Sequence, residues 1–229
     1  MIKYFLSIAI LLLCKPIYSG AADERLIIHV DDYHTVEMGP FYTDQCNQNL
    51  AFDKHLISLS YSRHRDDVSS FQQRQREILI ELIEKYDLDS LNQARLLVGD
   101  TKEIDKRVSI RKSIRQRYPE IESTSQTRAH GQLLVDLSIG NSGQFLVEQI
   151  IKQVHPVEDA KLFADANPMK SGQFRIDEKA YEARENFIIQ QMLKSDDQVM
   201  ILICGRGNDF SDNIPQGVML KRIEIPFKE

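Results

Sequence analysis

The stretch Val199-Met200-Ile201-Leu202-Ile203-Cys204-Gly205-Arg206-Gly207-Asn208-Asp209-Phe210-Ser211-Asp212-Asn213 decides the fold. Six apolar residues in succession end at Gly205, which reads as a strand buried on both faces that opens into a tight loop. Upstream, Asp177 to Lys194 carries Ala180, Phe187, Ile188, Met192 and Leu193 at roughly helical spacing, followed by Ser195-Asp196-Asp197. A helix returning into a buried strand is half of a right-handed crossover, so the segment predicts a parallel sheet. The expectation is an α/β fold: a central, largely parallel sheet flanked by helices in a single domain. Ligands of open α/β sheets sit beyond the carboxyl ends of the strands. The polar loop after Cys204 is therefore the expected site.

At the other end of the chain, Lys3 precedes an apolar run from Phe5 to Leu13, and Ser19-Gly20-Ala21-Ala22 supplies small residues. That layout predicts a cleaved signal peptide over residues 1–22, and hence a periplasmic or secreted α/β domain over 23–229. The apolar run is too short to span a membrane comfortably. Bulky Leu13 before Cys14 speaks against a lipid-anchored cysteine. No other stretch is apolar enough to cross a bilayer, so no transmembrane segment is expected in the mature chain. The formal charge of −5 falls by two more with Lys3 and Lys15 gone, and an acidic balance argues against nucleic acid as a partner. Arg107, Arg111, Lys112, Arg115 and Arg117 read as a solvated helix face among flanking acidic residues. Cys46 and Cys204 do not make a disulfide framework, and Cys204 reads as a small core residue.

Along the mature chain, Arg25 to Val30 predicts the first strand, running into Asp31-Asp32-Tyr33-His34. Residues 37–62 read as irregular. Arg65 to Tyr86 predicts a long helix with Val68, Phe71, Ile78, Leu79, Leu82 and Ile83 on one side. Leu91 to Val98 reads as a second strand, a poor one to bury because of Asn92, Gln93 and Arg95. Thr101 to Arg117 predicts a polar helix, Pro119 to Thr127 a loop, and Leu133 to Leu137 a short strand or helix start. Ser142 to Val154 is helical in pattern, and Val157 to Asn167 reads as one short helix between Pro156 and Pro168. Met219 to Pro226 alternates as an edge strand would.

Several chemistries are excluded. Gly205-x-Gly207 lacks the third glycine and following helix of a dinucleotide loop. There is no G-x-S-x-G elbow and no zinc signature of closely spaced histidines or paired cysteines. What remains is polar residues at strand ends: Asp31, Asp32 and His34 after the first strand, and Asn208, Asp209 and Asp212 after the later one. A histidine beside carboxylates can act as a general base or as a metal ligand. The plainer alternative has Asp31, Asp32 and Asp209 capping helices or turns and His34 as a satisfied surface group.

The run Glu182-Ala183-Arg184-Glu185-Asn186, then a helix, then the strand ending in Cys204-Gly205-Arg206-Gly207-Asn208-Asp209 resembles the carboxy-terminal signature of the erythromycin esterase, ChaN-like and TraB/Tiki superfamily. Val30-Asp31-Asp32-Tyr33-His34 is similar to that superfamily's histidine-bearing loop after the first strand. Glu158-Asp159-Ala160 to Asn167-Pro168 suits the region ahead of the Arg-Glu helix. The resemblance covers most of residues 26–214 and implies an α/β fold with a site at one end of the sheet. Members include hydrolases with a catalytic histidine, metal-dependent proteases and haem-binding proteins, so the fold does not select an activity. The resemblance implies a site built from His34, Asp32, Arg184, Glu185 and Asn208, with His34 as the ligand if a divalent metal or haem is held. Asn208 replaces the loop histidine and cannot exchange protons near neutral pH. Ala94-Arg95 stands where the second strand commonly ends in Glu-Gly. That pattern implies a partly degraded site that binds a small-molecule or peptide ligand, or retains weak activity. The alternatives are a working hydrolase with His34 as general base, Asp32 or Glu185 orienting it and Asn208 donating to an oxyanion, and a haem or metal carrier.

If residues 1–22 are removed on export, amino-terminal sequencing of the exported protein should read from Ala22 or Asp23. An intact Met1 in that pool would refute cleavage.

Overall fold

The computed structural model describes residues 24–33, 54–99, 140–168 and 175–226, with helical positions at 102, 105, 106, 108, 109, 112 and 113, and only backbone over 54–65. Its elements are β1 (Arg25–Asp32), α1 (Lys54–Tyr86), β2 (Ser90–Leu97), α2 (140–148), β3 (Gln153–Glu158), α3 (Ala160–Asp165), α4 (Glu178–Met192), β4 (Val199–Gly205) and β5 (Val218–Ile223). The strands form one sheet in the order β3-β2-β4-β1-β5, and every pairing is parallel.

Strand alternation divides the core into two layers. Leu26, Ile28 and Val30 of β1, with Ile201 and Ile203 of β4, pack against Phe71 and Leu79 of α1 and Phe145 of α2. Ile27, Met200, Leu202 and Cys204 pack on the opposite face against Ile188, Ile189 and Met192 of α4. A parallel sheet covered on both faces needs uninterrupted apolar strands at its centre, which is why β4 is buried from Met200 to Cys204. At the edge, β5 alternates between half-buried and exposed positions over its first four residues, Val218 to Lys221.

The connections from β1 to β2 and from β2 to β3 progress in one direction along the sheet, with α1 and α2 on one face. The return from β3 to β4 places α4 on the other face, as a constant crossover hand requires. Local chemistry fixes the ends of these helices. Asp177 caps α4 by accepting from Ala180 N at 3.2 Å, and Asp159 caps α3 by accepting from Lys161 N and Leu162 N, each at 2.9 Å. Arg25, at the start of β1, donates to the carbonyls of Leu193 and Asp197 at 3.1 Å, closing the carboxyl end of α4 where a cation is favoured.

Three readings of the sequence need correction. The first long helix begins at Lys54, so residues 54–62 are helical rather than irregular. The helical pattern expected over Ser142–Val154 stops short, because Gln153 and Val154 already belong to β3. The segment bracketed by Pro156 and Pro168 is not one helix: Val157 and Glu158 finish β3 before α3 begins. Pro156 is tolerated because β3 is an edge strand, where a missing N–H costs no ladder bond. The expected loop at Pro119–Thr127, the Leu133–Leu137 segment, Cys46, His34 and the expected signal peptide at residues 1–22 lie outside the described residues.

Candidate functional site

A cleft of about 410 Å³ opens beyond the carboxyl ends of the strands. Its floor is built by Asp32 at the end of β1, Ala94 and Arg95 of β2, and Gly205, Gly207 and Asn208 at the end of β4. Phe163 of α3 and Tyr181 and Arg184 of α4 form one wall. The connection leaving β2 covers the α1 face, and the one leaving β3 covers the α4 face. The crevice between such diverging connections is where open α/β sheets hold ligands.

Asp32 reaches the cleft on a layer of buried amides. Gln75 Nε2 and Gln93 Nε2 each donate to one of its carboxylate oxygens at 3.3 Å. Those amides are held in turn, Gln75 Oε1 by Asn141 Nδ2 at 2.7 Å and Gln93 Oε1 by Ser142 Oγ at 2.9 Å. Every member of this layer is buried, so each donor and acceptor needs a protein partner. The polar side chains of β2 are thus satisfied from the neighbouring elements: Asn92 Nδ2 likewise donates to the carbonyl of Ile201 at 3.2 Å.

On the α4 wall, Arg184 is held through all three of its nitrogens. Its Nε donates to Glu158 Oε2 at 2.9 Å, its Nη2 to Glu158 Oε1, and its Nη1 to Asn208 Oδ1 at 3.0 Å. Glu158 is fully buried and also accepts from Arg95 N at 3.2 Å. Asn208 donates through Nδ2 to Gly205 O at 2.8 Å, which locks the loop on itself. The ends of β3 and β4 are thereby joined through one guanidinium, and Glu158 adds the end of β2. Glu185, next along α4, points to the same loop and accepts from Asp209 N at 3.0 Å. Burial pushes its carboxyl up to about 7, and the hydrogen bond from Asp209 opposes that rise only in part.

The remaining strand-end carboxylates do not converge on the cleft. Asp31 is fully buried and turned to the other face of β1, where Arg206 Nε and Arg222 Nη2 hold it at 2.9 Å and 3.3 Å. Asp209 caps a turn, accepting from Ser211 N at 3.0 Å. Among the described residues no three histidine, cysteine, aspartate or glutamate side chains lie together to hold a metal ion. Buried His29 donates from Nε2 to the Cys204 carbonyl at 3.2 Å and meets Phe210 edge-on at 5.2 Å. Cys204 is a core residue, its thiol pushed up to about 12 by burial.

Of the residues singled out from sequence, Asp32, Arg184 and Asn208 come together at the cleft. Glu185 braces the loop from behind, and His34 lies outside the described residues. Glu158, Gln75, Gln93 and Arg95 were missed as site residues. Glu158 carried no clear signal, because Pro156 reads as a breaker and conceals the strand that ends there. The two glutamines carried none, since an amide on a helix or strand reads as surface until its partner is known.

Removing one partner of the buried ion pair leaves a charge without compensation, so Arg184→Met and Glu158→Gln should each lower stability by about 3–5 kcal/mol. The double variant should lose much less than the sum, as read from urea midpoints; additive losses would mean the two do not act as a pair. Glu185 provides a second test. Its carboxyl is raised from 4.5 to about 7 in the folded chain, so the folded state retains a proton that the unfolded chain releases. Its contribution is full below about pH 4.5, declines as pH rises to about 7, and is level above that. Glu185→Gln keeps the acceptor for Asp209 N but cannot titrate. The stability of the variant relative to wild type should therefore rise across that window, and a pH-independent difference would refute the raised carboxyl.

No family model, curated protein or solved structure matches the chain.

Proposed function

We propose that this is an exported, ligand-binding member of the erythromycin esterase, ChaN-like and TraB/Tiki superfamily, whose hydrolytic site is partly dismantled and whose cleft takes a small polar molecule. The observation that carries this reading is the state of Asn208. It occupies the place of the loop histidine, and its carbonyl oxygen is taken by Arg184 while one of its two donors goes to Gly205. A side chain used in this way braces the loop and offers no proton-transferring group. Ala94, at the position of the family's strand-end glutamate, lines the same cleft with a methyl group. The cleft nevertheless keeps a wall with Phe163 and Tyr181 and a floor with polar groups, the combination small-molecule sites use. The separation of Asp31, Asp32 and Asp209 favours an organic ligand over a hard cation, which needs several oxygens at one point.

The expected outcome is that the full-length protein shows no measurable turnover of p-nitrophenyl acetate or of a casein-derived peptide. General acid–base groups contribute roughly 100- to 10,000-fold, so the double change Ala94→Glu, Asn208→His should raise any residual rate if anything can. Asn208→His alone should cost about 1–3 kcal/mol, because Arg184 Nη1 loses its acceptor inside the protein. Robust turnover by the unmodified protein, abolished by His34→Ala, would establish a working hydrolase and overturn the reading.

A further inference from the structure

Arg95 breaks the pattern of the strand that contains it. Three described non-glycine residues have a positive φ: Asp87 at 55°, Arg95 at 68° and Gln149 at 61°. Asp87 directly follows α1 and Gln149 directly follows α2, positions where a left-handed residue ends a helix. Arg95 has no such explanation. It lies within β2, where the register with β3 shifts between Gln93 and Leu97, and a bulky residue is rare in that conformation. The irregularity brings its backbone N–H to Glu158 Oε1, which Arg184 already holds. It also leaves the Arg95 side chain exposed at the lining of the cleft. Bulges re-aim side chains in this way beside functional sites.

The charges of the cleft then separate. Arg184 is neutralised by buried Glu158. Asp32 is held by the amides of Gln75 and Gln93. We infer that the cleft ligand bears an anionic group, a carboxylate or a phosphate, which the exposed Arg95 guanidinium binds. Both oxyanions match the planar donor fork of arginine. The inference rests on the ligand-binding reading of the cleft and adds the chemical class of what enters it.

Acetate and inorganic phosphate serve as probes, with acetamide as the uncharged isostere of acetate. Backbone amide shifts of Gly205, Gly207 and Asn208 in the full chain report binding. Both anions should give saturable shifts at these residues, and acetate against phosphate distinguishes the two sources of the oxyanion. Arg95→Ala should weaken the anion response by roughly 10- to 100-fold, as loss of a charged hydrogen-bond donor does. Arg95→Gly, which meets the positive φ without strain, should do the same and keeps the test valid if the alanine variant folds poorly. Arg95→Lys should retain part of the response, as a point charge without the fork. Acetate titrations unchanged in Arg95→Ala and Arg95→Gly would overturn the inference. So would acetamide shifting the loop while the anions do not, although the ligand-binding cleft would then survive. If none of the probes shifts the loop, the inference fails and the binding reading loses its site.

Discussion

One guanidinium holds the carboxyl edge of the sheet together. Arg184 reaches from the first half of α4 to Glu158 at the end of β3 and to Asn208 in the loop after β4, and Glu158 in turn receives the backbone of Arg95 in β2. Parallel strands must all end on the same side, because each is entered by a crossover from the opposite end. The loops there have no ladder partners and must satisfy their polar groups by other means. Arg184, whose donors lie in a fixed plane, does this at the ends of β3 and β4, and Glu158 extends the network to β2. A lysine at the same position would supply one charge and no fork.

The same constraint explains the second polar cluster. Asp31 and Asp32 are adjacent in sequence, yet strand alternation sends them to opposite faces. Asp31 gathers Arg206, Arg222 and the Ile225 N–H, and so ties the chain after β4 and the chain after β5 to the end of β1. Asp32 is held by glutamine amides and faces the cleft. Of this pair, one carboxylate is structural and the other belongs to the site. Nothing in their chemistry distinguishes them; their parity along the strand does.

These networks also determine what the cleft can do. Arg184 and Asn208 are held by complementary partners beside the wall that Phe163 and Tyr181 form, an arrangement consistent with the proposed role in recognition. Glu185, whose carboxyl burial raises towards neutrality, faces the loop backbone through Asp209 rather than the cleft. Its titration therefore bears on how firmly the loop is held.

The unbroken apolar run at Val199–Cys204, the helix before it and the alternation at Met219 were enough to establish a parallel α/β sheet with an edge strand at the carboxyl end. These elements declare themselves because hydrophobic periodicity is a local property. That strand ends of a parallel sheet share an edge leads to the expectation that His34, Arg184, Glu185 and Asn208 converge, residues that the resemblance rather than the periodicity singles out. Arg184 and Asn208 do meet there, with Glu185 on the same loop from behind. The sequence did not declare β3, whose Pro156 reads as a breaker until the strand is known to lie at the edge. Nor did it declare that Asn92 and Gln93 could enter the interior, because burying an amide is favourable only where a partner waits, and Ile201, Asp32 and Ser142 are distant in the chain. The left-handed turn at Arg95 and the closure of Glu158 on Arg184 belong to tertiary structure alone. Local sequence determines which residues can form strands and helices, whereas pairing between charges and amides far apart in the chain decides which polar side chains become framework and which remain for a ligand.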